Sequence, residues 1–309
     1  MKALQFDRTG DLAALELVDM PDPLPAADEV RVEIRAAGLN PSDVKNVLGR
    51  FPYTTLPRVP GRDFAGVVVE GPKALLGQAV WGTGREPGFF RDGSHAQFLT
   101  LPAAGVALKP ESLSFAQAAS CGVPYSTAWD ALQRSQVKAG TRLLVIGANG
   151  AVGKAALALA KALGPKRSAR CGARSNARRW KRRASPRCCW ASRPNWRHRW
   201  KAIFPGGRRG DLRSRPVSGS RRRSRRWPAF GPPGDHRRTA RWPCAPAGVE
   251  PVPSRCASVV GINSLLYGVE ACAGFLDAFG KLFDQGQPAA ARQSAGVPLE
   301  AGRRAVSRR

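Results

Sequence analysis

Acidic side chains are what this chain has fewest of for its size: 22 Asp and Glu stand against 50 Lys and Arg in 309 residues, a net charge of +28. The shortage is local. Residues 165–257 hold 27 basic and 3 acidic side chains, whereas residues 1–164 and 258–309 each carry a net charge of +2. One segment therefore sets the basic pI, and the charge does not mark the whole chain as a nucleic-acid or membrane binder. Long apolar runs are missing too: none reaches the roughly 18 residues of a bilayer-spanning helix. Residues 1–10 show no charged stretch followed by an apolar one, so no secretory leader and a cytoplasmic location are expected. Cysteine is odd in number, at seven, and five of the seven (Cys171, Cys188, Cys189, Cys244, Cys256) fall in the basic segment. Their spacing supplies neither a disulfide framework nor paired zinc ligands.

The first 110 residues read as β-rich. Val30, Val32 and Ile34 alternate with Arg31, Glu33 and Arg35, the pattern of a half-buried strand. Short apolar runs follow at 64–69, 79–81 and 96–99, separated by Gly-containing turns, which suggests a compact barrel-like domain. Helices are expected over 114–119 and 126–132, with Pro124 breaking the pattern between them. The clearest local signal comes next. An apolar strand over 141–146 runs into a glycine turn of Gly147, Ala148, Asn149, Gly150, Ala151, Val152 and Gly153, and a helix of strong formers follows over 154–163. Strand, glycine turn and helix open a dinucleotide-binding βαβ unit. Glycines let the backbone turn tightly against a pyrophosphate, and the helix N-terminus offers it unpaired N–H groups. The spacing is GxxGxxG rather than GxGxxG, so a tight turn that only packs a helix on a sheet is the other reading of the same residues.

The expected alternation of strands and helices then stops. Residues 165–257 contain no Tyr or Met and a single Ile, Ile203, while Arg fills 24 of the 93 positions and six of the eight Trp fall here. No helical or alternating period survives. It returns as a buried strand over 258–263 and an amphipathic helix over 269–283.

These stretches resemble the medium-chain dehydrogenase/reductase superfamily, in its zinc-independent quinone oxidoreductase and enone reductase branch. AAGLNPSDVKNVLGRFP (36–52) resembles the substrate-cleft loop and PGRDFAGVV (60–68) the motif after it. GQAVWGT (77–83) and RDGSHAQFL (91–99) resemble the barrel strands. PYSTAWDAL (124–132) and VIGANGAVGKAALALAKALG (145–164) resemble the opening of the cofactor domain, and 258–286 its last strand and following helix. The resemblance implies a mixed α/β chain: a GroES-like β-barrel domain over 1–122, a Rossmann-type domain over 123–263 that is incomplete across 165–257, and a return segment over 264–309. It also implies NADPH as cofactor, with NAD not excluded, a small quinone or enone substrate, and a homodimer.

Where the zinc branch places a Cys and a His, this chain holds Asn40 and Arg62, the latter followed by Asp63. Zinc needs three or four N, S or O donors at about 2.0–2.3 Å, so no metal is expected. His95 is expected to be structural. Hydride transfer from a reduced nicotinamide to a quinone or an α,β-unsaturated carbonyl fits such a site better than alcohol oxidation. Asn40 and Lys45 are the candidates to hydrogen-bond the acceptor oxygen. Against that, Asn40 would cap the turn before Pro41 and Lys45 would simply be solvated. Thr127 matches a position near the nicotinamide amide, or caps a helix beside Ser126. Cys121 reads as buried packing.

The basic segment has no counterpart in that family and reads as a frame-shifted stretch of the same gene. One base later, with permitted codons, residues 231–238 can read GRLVIIAA, residues 207–215 ADVVIFDPV and residues 251–256 LFRRGA, all in one offset. The alternative functions are an inactive frame-shifted product and an Arg-rich nucleic-acid binder, whose contacts would be non-specific.

Overall fold

A five-stranded antiparallel sheet forms the N-terminal half. Its strands are β3 (Glu29–Gly38), β4 (Asp63–Glu70), β5 (Ala79–Gly82), β6 (Phe98–Pro102) and β7 (Ala107–Leu108), in the order β6-β3-β4-β5-β7. The alternation read in β3 is real: Val30 and Val32 are fully buried and pack with Phe64, Val68, Val80, Leu99 and Leu101. A two-stranded ribbon, β1 (Lys2–Gln5) with β2 (Glu16–Asp19), joins it through a bridge from Ala3 to Ala96. The molecule is known here from a computed structural model, which describes residues 1–164, 166–171, 189–190, 210–213, 260–286 and 296–307. Apart from Val260 and Gly261, the described residues belong to one compact unit, 1–214 with 262–309.

The helices correct the sequence reading at several places. The cleft loop contains a helix, α1 (Pro41–Val47), with Asn40 at its N-cap, Pro41 at its first position and the Asp43 carboxylate accepting the Asn40 N–H at 2.6 Å. After α2 (Phe115–Ala119), capped by Ser114, Pro124 does not break the chain. It lies in the first turn of α3 (Gly122–Arg134), where a missing N–H costs no hydrogen bond. Residues 260–263 are not in a strand, and Val260 is exposed; residues 258–259 lie outside the described residues. The helix expected over 269–283 is α5 (Val269–Asp284). The expected break of order after residue 164 is also incomplete. Strand β8 (Arg142–Ile146) leads through the glycine turn into α4 (Ala151–Ala162), and three strands follow: β9 (Lys166–Cys171), β10 (Cys189–Trp190) and β11 (Gly210–Arg213).

These four strands are parallel in the order β10-β9-β8-β11. Numbered from β8, that is the 3-2-1-4 order of a dinucleotide-binding sheet, so the chain is a mixed α/β protein with a GroES-like domain and a Rossmann-type sheet. β11 falls within residues 207–215, where the shifted frame reads an apolar strand. The other two shifted stretches, 231–238 and 251–256, lie outside the described residues. So do the residues directly after β9, where a Rossmann-type sheet carries the group that meets the ribose hydroxyl or its 2′-phosphate.

One apolar cluster joins the two halves. Trp81 of β5 and Tyr125 of α3 meet Phe279 and Phe283 of α5 at ring-centroid distances of 5.4–6.3 Å. The same cluster runs on into Leu143 and Val145 of β8 and Leu159 of α4. At the far end, α6 (Gly302–Ser307) places Val306 in one cluster with Leu4, Phe6, Leu15 and Val47.

Candidate functional site

The glycine turn sits at the C-terminal end of β8, where the sheet order reverses between β9 and β11. Gly147 adopts φ +80°, and its carbonyl accepts the Gly150 N–H at 2.9 Å. A Cβ on Gly153 would lie 2.4 Å from the Gly147 oxygen and 2.8 Å from the Ala148 Cα, so α4 packs on its own turn only through glycine. Ala148 is buried, Asn149 and Val152 are half-buried, and Gly150 and Ala151 are exposed. Gly150 is the N-cap of α4 and, as glycine, brings no capping side chain of its own. A turn with glycine at three of its seven positions, opening onto a helix N-terminus, suits a pyrophosphate. The seven turn residues of the sequence reading are therefore brought together, and they fit a dinucleotide.

The second group lies where β4 starts. Asp63 is buried, and its carboxylate accepts from Thr83 Oγ1 at 2.6 Å, Asn40 Nδ2 at 2.9 Å and the Val123 N–H at 2.9 Å to both oxygens. Val123 is in the first turn of α3, whose dipole favours a carboxylate there. A Cβ on Gly122 would lie 2.4 Å from Asp63 Oδ1, so that turn comes close only as glycine. Burial pushes the Asp63 carboxyl up from its ordinary value, while the Thr83 and Asn40 hydrogen bonds, the Arg62 charge and the Val123 N–H draw it down.

Arg62 is 1% exposed. Its Nε donates to the Gly84 carbonyl at 2.6 Å, and its two Nη atoms donate to Ser264 Oγ and to the Ser264 carbonyl at 3.3 Å. The guanidinium lies 6.0 Å from the centroid of the Phe89 ring. Phe89 is the hub of an aromatic group: Phe51 and Tyr53 lie 5.2 and 5.8 Å from it, and Tyr53 stacks on Phe90 at 5.7 Å.

The other candidates fall as follows. The Asn40 amide nitrogen donates to Asp63, so this residue joins α1 to the start of β4. Lys45 is solvent-exposed, while Asp43, Asn46 and Val47 of the same helix are buried. Thr127 does not cap a helix. It lies inside α3 and donates to the Val123 carbonyl at 2.6 Å, one turn from the N–H that Asp63 accepts. Cys121 is fully buried, donates to the Gln117 carbonyl at 3.3 Å and is pushed up to about 12 by burial, which removes it as a nucleophile. The two positions at which a zinc enzyme needs ligands carry a neutral amide in place of a thiolate and a guanidinium with no lone pair to give. Among the described residues, no three His, Cys, Asp or Glu side chains converge on a common point. A groove of about 390 Å³ beside Glu86, Pro87 and the start of α5 is separate from these groups, and Glu86 already accepts the Val269 N–H there at 3.0 Å.

His95 is buried, and its Nε2 donates to the Gly38 carbonyl at 3.3 Å while Nδ1 has no partner. Burial lowers its pKa below the ordinary 6.5, so the fold holds it neutral. The unfolded chain binds the extra proton first, so this contribution is complete above pH 6.5 and is lost as pH falls below it. Urea titrations at pH 7 and pH 5 are expected to show wild type losing stability on acidification, by at most about 1.4 kcal/mol per pH unit from this group. His95→Gln is expected to flatten that loss; an unchanged slope would place the proton uptake elsewhere.

Sequence reasoning treated Arg62 and Asp63 only as the occupants of a metal position. The available signal was two opposite charges set between Gly61 and the apolar run of β4.

Residues 26–111 match the family described as alcohol dehydrogenase GroES-like domain. The chain is 45% identical over 170 residues to a zinc-type alcohol dehydrogenase-like protein of Schizosaccharomyces pombe, covering 54% of this chain and 52% of that protein. It is 38% identical over 173 residues to a 2-methylene-furan-3-one reductase of Solanum lycopersicum, covering 52% and 44%. The chain thus spans about half the length of the curated relatives it matches. Among solved structures it is similar to an NAD-dependent alcohol dehydrogenase (TM-score 0.59, 30% identity, 67% of this chain and 68% of that one). It is also similar to the quinone oxidoreductase from Coxiella burnetii (TM-score 0.54, 31% identity, 61% and 62%).

Proposed function

We propose that this chain, which belongs to the medium-chain dehydrogenase/reductase superfamily, is a zinc-independent oxidoreductase that uses NADPH, or alternatively NADH, to reduce a quinone or an α,β-unsaturated carbonyl. The observation that carries the reading is the glycine-capped N-terminus of α4, packed through Gly153 on Gly147 at the reversal point of a parallel sheet. A relative named as a 2-methylene-furan-3-one reductase and a solved structure named as a quinone oxidoreductase support the acceptor class. Zinc independence rests on the donor chemistry of Asn40 and Arg62.

When bound, the reduced nicotinamide supplies hydride to the acceptor. The chain's own part is to bind and orient. Gly147 to Gly153 would hold the pyrophosphate at the N-terminus of α4. The Thr127 hydroxyl, turned along α3 by its bond to Val123, is a hydrogen-bonding group for the nicotinamide amide. Asn40 holds the acceptor loop against Asp63, and Lys45 is assigned to the rim rather than to the reacting oxygen. We assign residues 1–122 to the catalytic domain, 123–263 to the nucleotide-binding domain and 264–309 to the return, in a cytoplasmic homodimer.

Titration with NADPH, followed by nicotinamide fluorescence, tests the reading. Saturable binding that NADP+ reverses, with NADPH consumption on adding 1,4-benzoquinone or an enone, is the expected result. Failure to bind would overturn it for the chain as encoded. The frame-shifted reading of residues 165–257, which the half-length matches support, forecasts compensating base changes on resequencing from the codon of Gly164 to that of Ser258. It also forecasts stronger binding once that span is written in the neighbouring frame.

A further inference from the structure

We propose that Arg62 is an electrostatic residue of the acceptor site: a fixed cation that favours acceptors whose oxygen becomes anionic as they are reduced. This deepens the reductase reading and rests on it.

Three observations carry the assignment. The guanidinium is 1% exposed, yet its hydrogen bonds among the described residues all go to neutral acceptors, the carbonyls of Gly84 and Ser264 and the Ser264 hydroxyl. Among the described residues it makes no ion pair within 4.0 Å; every ion pair found involves other groups. A guanidinium has five N–H donors, and the bonds just named use three of them. Burying a cation without a contacting counter-charge costs several kcal/mol in general, so its retention calls for a role beyond packing.

The neighbouring carboxylate does not fill that role. Asp63 is adjacent in sequence, but its oxygens are taken by Thr83, Asn40 and Val123. The guanidinium instead faces the Phe89 ring, and the aromatic group around Phe89 reaches solvent at Tyr53 and Phe90, 38% and 46% exposed. Flat rings leading from solvent to a buried cation suit a planar conjugated carbonyl whose oxygen gathers charge.

The chemistry needs such a cation. Hydride addition at the β-carbon moves the C=C electron pair onto the carbonyl oxygen as an enolate, and the α-carbon then takes a proton from water. In a quinone the same addition leaves a phenolate, which takes its proton from water. A fixed protein cation supplies that stabilisation without a metal. A unit charge about 7 Å away at an effective dielectric of about 20 shifts such an equilibrium by more than tenfold.

The test uses 4-nitrophenol as an optical mimic of the anionic oxygen, with the full chain and the variants Arg62→Gln and Arg62→Lys. Wild type is expected to hold the phenolate about tenfold more tightly than the phenol, lowering the ionisation pH of the bound probe by about one unit. Arg62→Lys is expected to keep most of that shift and Arg62→Gln to lose it, with kcat on an enone falling about 10- to 100-fold and NADPH affinity held. Because Arg62 also holds Ser264, wild type and the lysine variant decide the matter if the glutamine variant does not fold. No phenolate preference in wild type, or an equal preference in folded Arg62→Gln, overturns the proposal. Acceptor reduction without the preference removes Arg62 and leaves the reductase reading. The preference without any reduction supports Arg62 as an anion site and removes that reading.

Discussion

Replacing Gly153 by valine is expected to abolish nicotinamide-nucleotide binding, lowering affinity by more than about 100-fold in a fluorescence titration. A side chain there starts 2.4 Å from the Gly147 carbonyl and 2.8 Å from the Ala148 Cα, and both are backbone atoms that cannot swing aside. Helix α4 would have to back away from its turn. Its inner face is committed, because Ala155, Ala156, Leu159 and Ala160 are all buried against β8 and α3. Forcing a buried contact apart costs about 1–3 kcal/mol or more, and the displaced helix end no longer meets the phosphates. Gly150→Ala is the matched control. A Cβ at Gly150 lies 3.4 Å from the Gly147 oxygen, φ there is −75°, and the fold is expected to accept it. Equal binding by Gly153→Val and wild type would show that this turn does not hold the nucleotide.

The second large effect is expected at Asp63. Asp63→Ala strips the acceptor from the Asn40 amide, the Thr83 hydroxyl and the Val123 N–H at once. Each buried donor left unpaired costs about 1–3 kcal/mol, and Arg62 loses the opposite charge nearest to it in sequence. The total should reach about 3–5 kcal/mol, a fall in Tm of roughly 6–20 °C for a unit of this size. Asp63→Asn keeps the shape and one acceptor oxygen, so it should cost less. Thermal melts of both variants check this. If Asp63→Ala melts with wild type, the carboxylate does not join α1, β5 and α3.

What the sequence made legible was local. The alternation of Val30, Val32 and Ile34 needs only neighbours, and so do the glycine turn after β8 and the amphipathic period of α5. The misreadings came from residues whose meaning depends on distant partners. Pro124 looks like a breaker until Gly122 is seen to start the helix, because Asp63, some 60 residues earlier, anchors the Val123 N–H. The NPSD stretch reads as a turn, but Asp43 reaches back to the Asn40 N–H and closes it into α1. Arg62 draws its meaning from Ser264, 202 residues away. The strands β9 and β11 carry no apolar pattern at all. Their register is set by the two edges of β8, whose N–H and C=O groups need partners whatever side chains the partner strand brings.

The contact of Val306 with Leu4 and Phe6 bears on the order in which this protein comes into being. The β1–β2 ribbon is synthesised before α6, yet the cluster beneath it, with Leu15 and Val47, lacks Val306 until α6 has been made. The same holds for Val80 and Leu101, whose packing partner Val269 belongs to α5. Neither cluster is therefore complete before α5 and α6 are made. A product cut short between residue 164 and α5 would leave both apolar seams open to water.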